Sequence, residues 1–499
     1  VNAIAALVVV VLALLGTAPA SAQVTAKGTV VIAQGVDANS LDPMISQTTP
    51  TWNVTSTIFD TLVEWGPGGK LVPALAESYR IVNPMTWEFK LRKGVKFQNG
   101  EPFEASVVAF SIDRLNNNPK SRNAYMKGVK AVEVIDAHTV RLITSPANPI
   151  LDKQLFSAAM FPPKYLAQVG DEEFAKRPVG TGPYRVVRWT KDDRLVLEAF
   201  ADHWRGAAKI KNVIFRAIPD DSTRVGSLQT GEVDLIANVP PHLADTLAKA
   251  SDFKVHRIPS IRTIYVVINT LAKSPLQDVR VRRAVNMAVD VDQIVKDVLG
   301  GYGRPLQSEL SPLLFGHDPS VKRYPFDPAG AQRLLAEAGY PNGFETVLNT
   351  PSGRYLKDRE VAEALTGFLG KVGIRAKLEV HEFGSLLRQL YAKKMPGLTF
   401  WGWGLPSRDA DSWFRFTFHS QGKVNYYQNP ALDKLVEAGA SQMDPAARRR
   451  IYREALELAH REAVHLPLYY ADDIYAAKAS LNFAPGNDEH IVAFDLSFR

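Results

Sequence analysis

The residues best able to do chemistry in this chain lie in LTFWGWGLPSRDADSWFRF, at 398–416. The segment sets Asp409 and Asp411 close together and surrounds a Gly/Pro/Ser break with Phe400, Trp401, Trp403, Trp413, Phe414 and Phe416. Such carboxylates could act as acid and base, although acids in a loop more commonly form turns or cap helices. The aromatic residues offer different chemistry. Tryptophans beside an irregular loop wall ligand clefts, supplying stacking faces and an indole N–H donor. Trp403, between Gly402 and Gly404, is the pocket candidate. Trp401 is expected in the core, and Phe400, Phe414 and Phe416 alternate like inward-facing strand positions.

No other constellation points to catalysis. The chain has ten histidines and no cysteine. His381-Glu382 lacks the second histidine of a zinc-protease helix, no G-x-S-x-G occurs, and GPGGKL (66–71) does not fit a phosphate loop. GGYGRP (300–305) is too short for a dinucleotide fingerprint, and His138, His242 and His460 are expected on the surface or in packing. Without cysteine there are no disulfides, thiol nucleophiles or thiolate metal sites. No metal or cofactor is therefore expected, and binding is favoured over catalysis. The alternatives are a secreted hydrolase using Asp409 or Asp411, and a receptor for a chemotaxis or signalling partner.

These residues must be positioned by a large framework. With 499 residues, 46% of them hydrophobic, the chain can build two or three domains. Residues 1–22 hold one apolar run, Ala3 to Leu15, too short to span a bilayer, and end in Ala20-Ser21-Ala22. This predicts a cleaved secretory signal. No cysteine is present for lipid attachment, so a freely soluble periplasmic protein is expected. The net charge of +7 is spread along the chain. Its densest cluster, Arg448-Arg449-Arg450 with Arg453, opens a helical pattern and is expected to be a solvated face; no nucleic-acid arm is visible.

Trp87, Phe89 and Leu91 alternate with charged residues as in a strand with one buried face. Asn99-Gly100 turns the chain, and Ala105, Val108, Ile112 and Leu115 form a helical stripe. VKAVEVIDAHTVRLIT (129–144) predicts a hairpin, so residues 66–176 form a small antiparallel α+β unit. Strands then alternate with helices. Strands are predicted over 180–189, 194–200, 212–218 and 233–237, and a helix closes at Gly231. Asp327 caps a helix that ends at Gly339, a second helix carries Val361, Leu365, Phe368 and Val372, and the strand Ile374, Ala376, Leu378, Val380 follows. No low-complexity linker separates the regions, which favours lobes joined by more than one crossing and a hinge between them.

LVPALAESY (71–79) followed by TWEFKLRKGVKFQNGEPFEASVVAFSIDRL (86–115) resembles the signature of the family 5 solute-binding proteins, the dipeptide, oligopeptide and nickel group of ABC importers. The resemblance continues through IFDTLVEW (58–65), GTGPYRVVRW (180–189), LQTGEVDLI (228–236), PLQDVRVRRAVNMAVD (275–290) and YYQNPALDKLVEAG (426–439). It implies an α/β type II periplasmic-binding-protein fold, with two hinged lobes and an extra α+β domain. Domain I would comprise 23–65, 177–268 and 477–499, domain II 66–176, and domain III 269–476. The ligand would be enclosed between lobes I and III and delivered, chemically unchanged, to inner-membrane permease subunits by a monomeric receptor.

The same resemblance carries site residues. Arg354, in NTPSGRYLKDREVAEAL, falls where dipeptide binders hold the peptide carboxylate, a task a guanidinium performs with two parallel hydrogen bonds. Family peptide binders pair the α-ammonium with an aspartate three residues after a tryptophan; aligned on Trp403, that position is Pro406. Asp409 and Asp411 match a later part of that loop. A buried ammonium without its anion costs several kcal/mol. The expected solute is therefore an N-blocked peptide, an opine-like conjugate, another carboxylated or hydroxylated molecule, or a sugar. Tyr125, Thr51 and Trp52 would complete the wall.

Overall fold

The structure, a computed structural model, describes residues 28–46, 48–66, 69–123, 125–404 and 407–499; the expected signal over 1–22 and Pro406 lie outside these residues. Strand β1 (Thr29–Gln34) is followed by the hairpin β2 (Val63–Trp65) and β3 (Leu71–Pro73), then by β4 (Ala76–Asn83), β5 (Thr86–Leu91), β6 (Val129–Asp136) and β7 (Thr139–Thr144). Further along come β8 (Tyr184–Thr190), β9 (Arg194–Ala199), β10 (Asn212–Ala217), β11 (Leu235–Ala237) and the long β12 (Phe253–Ile268). The remainder adds β13 (Gly303–Pro305), β14 (Phe344–Pro351), β15 (Ile374–His381), β16 (Leu398–Trp403), the long β17 (His465–Lys478), and the short pair β18 (Leu481–Asn482) and β19 (Ser497–Phe498).

The period-two segment at 86–91 becomes the inner strand of a separate antiparallel sheet ordered β4-β5-β7-β6. Trp87, Phe89 and Leu91 are buried on one face, and Ala105, Val108, Ile112 and Leu115 of the helix Ala105–Asn117 are buried with them in one core. Glu88 departs from the pattern. It is buried too, and Arg80 and Arg141 neutralise its carboxylate at 2.8 and 2.9 Å.

All other long strands belong to one mixed sheet ordered β15-β14-β16-β12-β17-β11-β1-β10-β9-β8, with β13 also paired to β17. Two chain segments, β12 and β17, run through both halves of it. Near Lys478 they pair beside β11, and near Ile268 β12 turns to β16. Their register breaks between Pro259 and Thr263, where Ser260, Ile261 and Arg262 stand against Ala471 alone. A bulge of this kind bends and twists a strand and re-aims its side chains. The bulge lies where β12 passes from the part of the sheet beside β11 to its pairing with β16. β15 is an edge strand: Ile374 is buried, but Val380 is 45% exposed.

The helices follow their caps. Asp327 accepts from Gly330 N at the start of Pro328–Glu337, and Gly339 takes φ +93° beyond its end. Val361, Leu365 and Phe368 of Asp358–Lys371 are buried together. Two expectations fail. Phe414 and Phe416 are not strand residues: Asp409 caps a helix, Ala410–Thr417, by accepting from Asp411 N, and Trp413 and Phe414 enter the core from it. Apart from Arg415 every residue of this two-turn helix is buried, so phenylalanines two positions apart both face the interior and mimic a strand. Arg448 is not on a solvated face but 3% exposed, held by Asp409.

Candidate functional site

A loop, a helix and two sheets supply the walls of one cleft. Thr51, in the first turn of the helix Thr49–Ile58, is fully buried; its hydroxyl accepts from Asn39 N at 3.1 Å and from Thr48 Oγ1 at 3.1 Å. Thr51 thus ties the hydroxyls of Ser46 and Thr48 to the start of the helix. Trp52, next to it, meets Phe156 edge to face with ring centroids 5.0 Å apart. Phe156 contacts Tyr125 at 5.3 Å, Tyr125 approaches Phe416 at 6.3 Å, and Phe416 packs on Trp403 at 4.4 Å. Trp52, Tyr125 and Trp403, far apart in sequence, are thereby joined into one aromatic run. Phe156 and Phe416 are the links that sequence reasoning did not assign to the wall.

Along this run lies a cavity of about 30 Å³, bordered by Ser46, Thr48, Arg122, Tyr125, Tyr391 and Trp403, among others. That is about the share of one water molecule in the liquid. A peptide-sized solute enters only if the walls separate. Among the described residues the buried indole N–H of Trp403 has no acceptor. Arg122 is exposed at the rim, and its guanidinium makes no ion pair among the described residues. Burial pushes the Tyr125 and Tyr391 hydroxyls well above the usual phenol range, so both stay neutral donors. The glycines around Trp403 are needed for close approach. A Cβ at Gly402 would stand 2.5 Å from Ile264 Cδ1, and one at Gly404 2.9 Å from an Arg262 guanidinium nitrogen.

Arg354 lies on the loop between β14 and the helix Asp358–Lys371, 4% exposed. Asp358, whose pKa burial raises to about 6 against the backbone N–H groups that lower it, holds this loop by accepting from Arg354 N at 2.8 Å and Tyr355 N at 3.1 Å. The guanidinium reaches Glu489 Oε2 at 3.1 Å. Glu489 also takes Arg262, from the β12 bulge, through Nε and through Nη2, the latter at 2.8 Å. Arg262 in turn donates to Thr49 Oγ1 at 2.8 Å and to the Gly402 carbonyl at 3.3 Å. Burial alone would raise the Glu489 pKa; the charges of Arg262 and Arg354 outweigh it and hold the carboxyl below its usual range. Nearby Arg408 reaches Asn487 at 2.7 Å and Asp488 at 3.2 Å. The segment 487–489 thus ties β14, β16 and the bulge together. Sequence reasoning missed it because Glu489 lies more than 130 residues from Arg354 in an unpatterned tail.

The two aspartates serve different partners. Asp409, fully buried, receives both Arg448 Nη2 at 2.6 Å and Nη1 at 3.1 Å, and lies 3.5 Å from Lys153 Nζ. Both of its oxygens are committed. Asp411 accepts from Arg415 Nε at 2.9 Å and from Gln154 Nε2 at 3.2 Å, and burial raises its pKa. Neither is placed as a free acid and base facing a common reacting atom.

Residues 70–425 match the family described as bacterial extracellular solute-binding proteins, family 5. The chain belongs to that family. A glutathione-binding protein, GsiB, of Escherichia coli (strain K12) is 31% identical over 456 residues, covering 88% of each chain. The receptor is also similar to the periplasmic binding protein DppA from Helicobacter pylori in complex with the peptide STSA, with a TM-score of 0.87 and 28% identity, covering 94% of this chain and 98% of the other. AgaA from A. tumefacien R10, in complex with agropinic acid, has a TM-score of 0.86 and 25% identity over 95% of this chain and 99% of the other. Fold and function follow together: this is a type II periplasmic-binding-protein fold with an added α+β sheet, and the protein is a solute-binding component of an ABC importer.

Proposed function

We propose that this receptor works in the periplasm and captures a small carboxylated solute, peptide-like or opine-like, in the cleft along the Trp52–Trp403 aromatic run. It then presents the solute unchanged to inner-membrane permease subunits as a monomer. The apolar stretch at 1–22 serves as its export signal. The halves of the large sheet act as two lobes, domains I and III of the sequence reading, and β12 with β17 form the hinge. The β4–β7 unit is domain II.

One observation carries this reading. Rings from separate chain segments close on a cavity of about 30 Å³, bordered by an indole N–H and a guanidinium that have no protein partner among the described residues. Unpaired groups of this kind gain most from a solute that completes them. Trp403 stacks on the solute, Arg122 meets its carboxylate, and Arg354 acts through Glu489 by holding the lobes shut. Asp409 and Asp411 keep the Trp403 loop in shape. The ligands of the relatives, glutathione and agropinic acid, set the range of chemistry.

The test is mass spectrometry of small molecules released from the freshly purified, denatured protein, followed by calorimetry with the compound found and with glutathione. A carboxylated solute recovered intact, with Trp403→Ala weakening its binding at least about tenfold, is the expected result. A solute returned cleaved, or a Trp403→Ala variant that binds as well as the parent, would sink the proposal.

A further inference from the structure

Beyond Tyr125 and Phe416, which border both spaces, lies a second cavity of about 340 Å³. It sits between the β6–β7 hairpin side of the small sheet and the segment 411–423. Its volume falls in the range of small-molecule sites. Its charge is one-sided. Lys127, Lys130 and Lys423 line it, and none has a carboxylate partner among the described residues. Among the described residues Lys127 Nζ donates to the Asn116 carbonyl alone, and Lys130 Nζ to the Lys127 carbonyl alone, at 3.3 Å. The Asp411 carboxylate that also borders the space is already taken by Arg415 at 2.9 Å, so it neutralises none of the lysines.

A further cation stands behind the wall. Lys393, half-buried at φ +59°, donates to the carbonyls of Gly422, at 2.6 Å, and Asn425, and so braces the loop that carries Lys423. Burial, then the charge of Lys423, lowers its pKa to about 8. Burial together with Lys130 and Lys423 lowers that of Lys127. Like charges gathered from two folding units repel one another unless an anion sits among them.

We propose that this cavity is an anion subsite, which receives a second carboxylate, or a phosphate, at the far end of a solute whose other end lies at Trp403. The proposal rests on the cleft reading above and narrows it to elongated solutes bearing more than one negative group. Tyr125 and Phe416 form the neck through which the middle of such a solute passes.

The experiment uses the full chain and simple anions. Thermal unfolding is followed in citrate, in inorganic phosphate, and in sodium chloride of equal ionic strength. One of the polyvalent anions should raise the melting temperature by about 2 °C or more over chloride. Citrate alone would indicate a carboxylate, phosphate alone a phosphoryl group. The rise should vanish in Lys130→Ala/Lys423→Ala, or in Lys423→Gln if the double variant does not fold. Trp403→Ala should keep it, so failure of the cleft and failure of the subsite are read separately. No anion-specific rise in the parent protein, or a rise that survives loss of the lysines, overturns the subsite.

Discussion

Around Glu489 two arginines share one buried carboxylate, with contacts of 2.8 and 3.1 Å. Around Arg122 and the lysines beyond Phe416, several cations have no carboxylate partner among the described residues, Asp411 being taken by Arg415. The first region is paired within the protein, through Glu489 and its two arginines; the cations of the second have no such partner among the described residues. In the first, the anion belongs to the protein and is held by folding, so its energy goes into joining the two halves of the sheet. In the second, on the reading proposed above, the anion comes from solution and the energy of pairing goes into capture.

Substitutions that break the internal pairing should have the largest effect. Glu489→Gln removes the anion that both guanidiniums share, leaving Arg262 only the neighbouring buried Asp473, and should cost about 3–5 kcal/mol in urea unfolding. An unchanged midpoint would show that the cluster is not what joins the lobes. Arg354→Ala leaves Glu489 paired with Arg262 and should cost less, about 1–2 kcal/mol, while weakening solute binding through easier opening. Should it abolish binding with stability untouched, Arg354 would be a direct ligand anchor and the contrast would fail.

The pH dependence sharpens the same contrast. Glu489 is held below its ordinary pKa, so its contribution is full above about pH 4.5 and is lost as pH falls through the depressed value. Buried His465 adds a second acid-side loss. Burial lowers its pKa to about 3, so the folded state refuses a proton that the unfolded chain accepts below about 6.5. Stability should fall by about 1.4 kcal/mol per pH unit from this group across that window. His465→Phe should flatten the slope between pH 6 and 4, and Glu489→Gln the slope below 4.5; parallel curves for parent and variants would remove both assignments.

Arg122→Ala belongs to the second region. Its expected signature is an affinity about tenfold lower, with less salt dependence and an unaltered unfolding midpoint. The smallest effect is expected of Asp411→Asn. Removing the one carboxylate that borders the basic cavity should raise anion affinity about twofold, and a marked loss of binding instead would make Asp411 a ligand contact.

The α+β hairpins and the helix caps at Asp327 and Gly339 were legible because each rests on local rules: period-two burial and side-chain capping. The helix Ala410–Thr417 was misread because burial all round hides periodicity. Arg448 was misread because a buried arginine and a solvated one look alike until their partners are known. Phe156 was passed over for a similar reason, since an isolated phenylalanine carries no mark of the ring it will meet.

Sequence alone determined the family, the sheet and helix framework and the aromatic character of the cleft, because backbone propensity, hydrophobic period and ordered motifs are encoded within short stretches of chain. Tertiary structure decided which charges remain available. Glu489 reaches Arg354 across 135 residues, and Lys423 meets Lys127 and Lys130 only where two folding units adjoin. Coulomb interaction depends on distance in space, and that distance is set by the packing of the whole molecule and not by the order of its residues.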